Sequence, residues 1–176
     1  DRYLMDTPDK GDGSLTGYNV WKWIDYDNYN YPYAGAGSPD FSTNWIILRY
    51  AEIYLNDAEA RLETGDVEGA RKAVNMIRQR VGLPDLTESD PEKLRELIRK
   101  ERRIEFAFEE QRFYDVRRWK IGPETQTTLH GVRFVSPTEF KVTKTDIRTW
   151  NDRLYLTPVP HDEIVRSSVL KQNPGY

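Results

Sequence analysis

The sequence predicts a mostly α-helical fold with long loops and short β pieces. Three observations carry that expectation. Two apolar stripes of helical period follow one another between Ile47 and Val81, a third amphipathic stretch starts at Pro91 with its own cap, and a turn-rich aromatic segment precedes them without such a period. On this reading the 176 residues divide into an aromatic loop-rich segment over 1–44, a helical segment over 45–121 and a loop-rich tail over 122–176.

The first segment opens with a polar turn cluster: Asp6, Pro8, Asp9, Gly11, Asp12, Gly13 and Ser14. Tyr18 to Ile24 alternates enough to be a strand. Tyr26, Tyr29, Tyr31 and Tyr33 follow among Asp, Asn and Pro, and Gly35, Gly37, Ser38 and Pro39 close the loop. Helical period begins near Trp45. Ile47, Ala51, Tyr54, Leu55, Ala58 and Leu62 make one stripe and predict a helix over 45–63. Thr64-Gly65-Asp66 stops that helix and starts the next, because Gly65 suits the left-handed position past a helix end and Asp66 suits an N-cap. Val67, Ala70, Val74, Ile77 and Val81 predict a second helix over 67–81, ended by Gly82-Leu83-Pro84. Matched stripes and a tight turn imply an antiparallel helix pair of tetratricopeptide type, with Ala58, Ala60, Ala70 and Ala73 permitting close approach.

Asp90 caps a third helix with Pro91 at its first position, where the missing N–H costs nothing. Leu94, Leu97, Ile98, Glu101, Ile104, Glu105 and Phe108 form its expected inward face, and it runs to about Glu110. A shorter helix covers Phe113 to Trp119, before Gly122 and Pro123. In the tail, Val132 to Val135 and Phe140 to Val142 lean towards strand. Pro158 and Pro160 exclude a central strand, and His161 to Val165 predicts one helical turn.

Composition narrows the functions. Hydrophobic residues are only 38%, but 5 Trp, 11 Tyr and 6 Phe supply an aromatic core, so disorder is not expected. A formal charge of −3 provides no global basic field for nucleic acid or an anionic membrane. No run of 18 apolar residues exists, and Asp1 to Asp6 lacks the basic start and apolar stretch of a secretory signal. Zero cysteines exclude disulfides, thiol catalysis and thiolate zinc sites within these residues.

Metal and nucleophile chemistry find little support. His130 and His161 stand in separate loop regions without ligand spacing, and read as surface or packing residues. Asp25, Asp27 and Asn28 lack the rest of a twelve-residue calcium loop and read as a solvated turn. Glu101 and Glu105, one helical turn apart, are the best-placed carboxylate pair for glycoside hydrolysis. Arg99, Arg102, Arg103 and Arg112 lie nearby in sequence, and such cations favour the ionised carboxylate, the wrong direction for a general acid. The pair is therefore expected to form ion pairs that fix helix packing. The basic residues from Arg99 to Lys120 interleave with acids at helical spacing, unlike a phosphate-binding stripe. No catalytic residue, metal or cofactor is expected.

The aromatic segment carries the strongest binding signal. Trp21, Trp23, Tyr26, Tyr29, Tyr31 and Tyr33 supply flat faces that can stack on pyranose rings, while Asn28 and its polar neighbours can take hydroxyls. The competing reading has these rings covering the helices. It is favoured for Trp21 and Trp23, while for the loop tyrosines the two readings stand level.

Four motifs in order add a resemblance. Ile47 to Ala60, ILRYAEIYLNDAEA, is similar to the RYAEIYLNYAEA helix of the RagB/SusD family. Val74 to Pro84 resembles that family's next helix and stop. Ile98 to Lys120 resembles its ERR-ELAFEGQRFWDLRRW signature, and Tyr155 to Ile164 with Gln172-Asn173-Pro174-Gly175-Tyr176 resembles its ending. Lys100 and Glu110 stand where His and Gly are expected, and Ser167-Ser168 where Asn-Pro is expected. The resemblance implies the C-terminal part of a SusD-like α/α superhelix, with an upstream part and a lipid anchor outside these residues. It also implies an apolar face on the helix pair that such an upstream part would cover. The implied function is non-catalytic capture of oligosaccharide or polysaccharide at the outer-membrane surface, with delivery to a SusC-like TonB-dependent transporter. A helix-repeat scaffold for peptide segments is the alternative. The family's glycan contacts come from variable loops, so the aromatic candidates rest on their chemistry alone.

Overall fold

The computed structural model describes residues 22–23, 44–136 and 139–176. Lys22 and Trp23 lie in a turn; the rest of the expected strand and aromatic loop fall outside the described residues. The chain clusters into two units, residues 24–112 and residues 1–23 with 113–176.

In the first unit, α1 spans Tyr50–Glu63, α2 Val67–Arg80 and α3 Pro91–Glu105. Helix α1 starts five residues later than its composition suggests. Arg49 is extended, with φ −146° and ψ 160°, and no side chain caps the helix. The apolar run Ile46-Ile47-Leu48 thus lies outside the helix, and Ile47 is 79% exposed instead of joining the buried stripe. The turn behaves as its residues dictate. Thr64 donates from its backbone and its hydroxyl to Ala60 O and Arg61 O, Gly65 takes φ 88°, and the Asp66 side chain accepts from Gly69 N at 2.8 Å.

The core joins Ala51, Leu55, Ala58 and Leu62 of α1 to Ala70, Ala73, Val74 and Ile77 of α2, with Leu94 and Ile98 of α3 and Phe106 closing it. Each fully buried aliphatic side chain contributes about 1.5–3 kcal/mol through removal from water. Ala60 and Val81, expected at the helix contact, are exposed. The link to α3 is held by Asn75, whose amide donates to Leu86 O at 3.2 Å and whose carbonyl accepts from Leu86 N at 2.8 Å. Asp90 caps α3 by accepting from Lys93 N at 3.0 Å.

Helix α3 stops at Glu105, short of the expected end near Glu110. Phe108 and Glu110 take left-handed conformations, φ 63° and 64°, before α4 begins at Gln111–Arg118. This break redirects the side chains. Phe106 is buried in place of Phe108, while Ile104 and Phe108 are 61% and 56% exposed.

In the second unit a single helical turn, α5, spans Gly122–Thr125. Strands β1 (Thr128–Ser136) and β2 (Glu139–Ile147) form an antiparallel hairpin with Val132 opposite Val142 and Arg133 opposite Lys141. The hairpin is longer than the two apolar pieces that predicted it, and β2 is exposed throughout. Without a buried face it needs no strict alternation, so charges along it hide it from pattern reading. A short 3₁₀ helix (Asp152–Tyr155) and α6 (His161–Arg166) follow. The tail folds back: Gln172 both accepts from Val159 N and donates to Val159 O, Asn173 donates to Thr157 O, and the Tyr176 hydroxyl donates to Leu156 O. Among the described residues the fold is therefore mostly helical with one small sheet, as the sequence predicts.

Candidate functional site

Of the proposed glycan platform, Trp21, Tyr26, Asn28, Tyr29, Tyr31 and Tyr33 lie outside the described residues, and Trp23 is half-buried. The described chain contains a different constellation, a lattice of ion pairs at the α1–α3 end. Arg49 sits immediately before α1. It donates Nε and Nη2 to the two carboxylate oxygens of Glu109, at 2.7 and 2.9 Å, in the forked geometry that only a guanidinium offers. Its Nη2 also reaches the Glu105 carbonyl at 2.8 Å, and Nη1 pairs with Glu105 Oε1. Burial works against the Arg49 charge, but the hydrogen bonds it donates to Glu109 and Glu105 outweigh it and leave its pKa above the ordinary value.

Arg80, at the end of α2, donates to the same Glu105 oxygen at 2.6 Å, and Arg78 donates to Glu101 at 2.6 Å. Arg102 reaches Asn56 at 2.8 Å and lies 3.9 Å from Glu52, which in turn accepts from Gln111 at 3.3 Å. The Phe106 ring carries the guanidiniums of Arg49 and Arg102 at 4.6 and 5.2 Å from its centroid. Glu101 and Glu105 thus make the ion pairs expected of them, with arginines of α2 and of the approach to α1 among the partners. Arg99 pairs with Glu96 of its own helix, whereas the arginines on Glu101 and Glu105 come from α2 and from the approach to α1. Arg49, absent from the sequence candidates, had one signal: a lone cation directly after the apolar run Ile46-Ile47-Leu48.

Chemically this lattice fixes element positions. Its carboxylates accept bonds from guanidiniums, and no group of three metal-ligating side chains exists among the described residues. His130 and His161 are exposed, in β1 and at the start of α6. No helix among the described residues is long and apolar enough to cross a membrane.

The model of the SusD family matches residues 2–176. The chain belongs to the SusD family. Its motifs map onto the geometry just described: RYAEIYLN supplies Arg49 and α1, and ERRIEFAFEEQR supplies the carboxylates and the left-handed turn. A SusD-like protein from Bacteroides fragilis NCTC 9343, known from its crystal structure, is 96% identical with a TM-score of 0.87. The match covers all of this chain and 34% of that one. SusD-like protein P2 of Formosa agariphila is 38% identical over 81% of this chain and 28% of its own length. SusD-like protein P25 of the same organism is 32% identical over 85% of this chain and 31% of its own. The chain thus spans about a third of the length of these SusD relatives.

Proposed function

We propose that these residues serve as the C-terminal portion of a SusD-like protein that captures oligosaccharides at the outer-membrane surface. The protein would be held there by a lipid anchor outside this sequence and would pass its ligand to a SusC-like TonB-dependent transporter. The observation that carries this reading is the SusD family match along nearly the whole chain. The ion-pair lattice is compatible with it, since it secures a scaffold and leaves recognition to loops. Within the chain, the proposed platform is Tyr29, Tyr31 and Tyr33 with Trp21, Trp23 and Tyr26, and Asn28 as a hydroxyl partner.

The test is a glycan array on the full-length protein, followed by calorimetric titration of the best ligand. Affinity for a neutral glycan should change little between low and physiological salt, because no counterions are released, whereas phosphate binding would weaken steeply. Tyr29→Ala or Tyr31→Ala should cost about 1–3 kcal/mol, on the scale of aromatic stacking against bases. Binding to a peptide library with silence on the glycan array would favour a peptide scaffold instead. Glycan binding unaffected by every platform variant would remove the site from these residues while leaving the function intact.

A further inference from the structure

The charges of the β1–β2 hairpin are arranged unlike those of the helices. Each arginine of α2 is paired with an acid: Arg71 with Glu68, Arg78 with Glu101 and Arg80 with Glu105. On the hairpin, basic residue faces basic residue. Arg133 stands directly opposite Lys141, and His130 directly opposite Lys144. Like charges so placed destabilise an antiparallel pair. All four side chains are exposed, and none forms an ion pair among the described residues. Two acids lie on β2. Asp146 is engaged by Arg148 at 3.5 Å and by Ile147 N at 2.8 Å, while Glu139 sits at the turn end, opposite Ser136. Because side chains alternate across a strand, Arg133 and Lys141 share one face. Lys144 and His130 share the other with Val132, Val142 and Phe140. Val142 is 61% and Phe140 56% exposed.

We propose that this hairpin is a contact for an acidic polysaccharide, whose uronate carboxylates lie against Arg133, Lys141 and Lys144. The inference rests on the oligosaccharide-capture reading above and adds the charge class of the ligand. Three observations select that occupant. The cations project from both faces of a two-stranded ribbon. A flat surface, whether a membrane or a folded protein, meets only one of those faces, whereas a chain-like ligand can follow the ribbon round. The spacing is also sparse. Lys141 and Lys144 stand about 10 Å apart along β2, at about 3.4 Å per residue. Duplex nucleic acid carries a charge every ~1.7 Å, and a net charge of −3 offers it no wider basic field. Finally, apolar surface adjoins the cations, with Phe140 next to Lys141 in sequence and Val142 between the two lysines. A uronate ring matches both features, since it presents C–H groups on its faces and a carboxylate at its edge. An acidic peptide side chain offers the carboxylate alone.

The test is calorimetric titration of the full-length protein with an oligogalacturonate, its methyl ester and a polyglutamate of the same charge. The ester keeps the sugar backbone and removes the charge, so this comparison needs no variant. The ester and the polyglutamate should bind at least tenfold more weakly, and oligogalacturonate affinity should fall as salt rises. Lys141→Gln combined with Lys144→Gln should weaken oligogalacturonate binding at least tenfold. It should also flatten the slope of log affinity against log salt by about 1.4, two contacts at about 0.7 each for a single-stranded polyanion. Both lysines face another basic side chain, so neutralising them strips no stabilising partner from the fold. Lys171→Gln, at an exposed cation of the tail, should change neither quantity. Absent oligogalacturonate binding, equal binding of acid and ester, or equal loss in the hairpin and control variants overturns the proposal. Polyglutamate bound as tightly as the oligogalacturonate also overturns it and assigns the hairpin to an acidic peptide. Capture of neutral glycans alone sinks this inference and leaves oligosaccharide capture standing, whereas silence on every glycan sinks both.

Discussion

Removing Glu101 tests whether the ion-pair lattice holds the helices together. The Glu101 and Arg78 side chains are only 10% and 16% exposed, and their bond measures 2.6 Å. Glu101→Ala strands the Arg78 guanidinium in a poorly hydrated position, keeping only its Nε bond to Pro84 O at 2.8 Å. Breaking a buried pair from one side costs about 3–5 kcal/mol; the residual exposure and the Pro84 bond place this case near the lower limit, about 3 kcal/mol. A surface pair would give at most about 1 kcal/mol, so the two outcomes separate. The assay is urea unfolding followed by far-ultraviolet circular dichroism, with the midpoint shifted and the slope unchanged. Arg78→Ala and the double variant complete a cycle, in which the double variant should cost less than the sum by about 1–2 kcal/mol. Glu96→Ala, at the exposed Arg99 pair, is the control and should stay within about 0.5 kcal/mol. A cost below about 1 kcal/mol for Glu101→Ala, or strict additivity, would refute the reasoning.

Glu110 takes φ 64° where the family pattern leads one to expect glycine. Glu110→Gly should therefore stabilise by about 0.5–1 kcal/mol, the relief of left-handed strain less the entropy glycine adds to the unfolded chain, read as a higher urea midpoint. Gly122 faces Trp150, and a Cβ there would meet the indole at 2.1 Å. Gly122→Ala should cost about 1–3 kcal/mol by overpacking, with a changed near-ultraviolet dichroism signal from displaced tryptophan. Backbone hydrogen bonds, from Gly69 to Asp66 and from Lys93 to Asp90, hold both cap carboxylates below their ordinary pKa. Their contribution is complete above the ordinary carboxylate value and is lost as pH falls through the lower folded values. Thermal midpoints should thus decline on acidification in that window, with a shallower decline in Asp66→Asn and Asp90→Asn; identical slopes would disprove the linkage.

Helix existence was legible wherever a stripe, a cap and a stop agreed, as in α2 with Asp66 and Gly82. Boundaries set by tertiary bonds were not. Nothing in the apolar run before Tyr50 says that Arg49 must stay extended to reach residues 56 and 60 positions away. The end of α3 escaped notice for a related reason: Phe108 and Glu110 have no local preference for a left-handed conformation, and the surrounding structure imposes it. Ion pairing of Glu101 and Glu105 was readable from charge density, but their partners required knowing which helices pack. The aromatic platform stays a proposal drawn from sequence chemistry, and its candidates apart from Trp23 lie outside the described residues.

The span of the Arg49 clasp has a consequence for assembly. Helices α1 and α2 meet through a three-residue turn, so their contacts close short loops and can form early. The bonds from Arg49 to Glu105 and Glu109 close loops of 56 and 60 residues, at a far greater entropic cost. On this argument they should form after the pair, setting how slowly the unit opens more than how fast it folds. In stopped-flow kinetics Arg49→Lys should steepen loss of the native state through a faster unfolding limb, with the refolding limb unmoved. A family signature would then be a determinant of persistence, setting how long the helical unit stays shut.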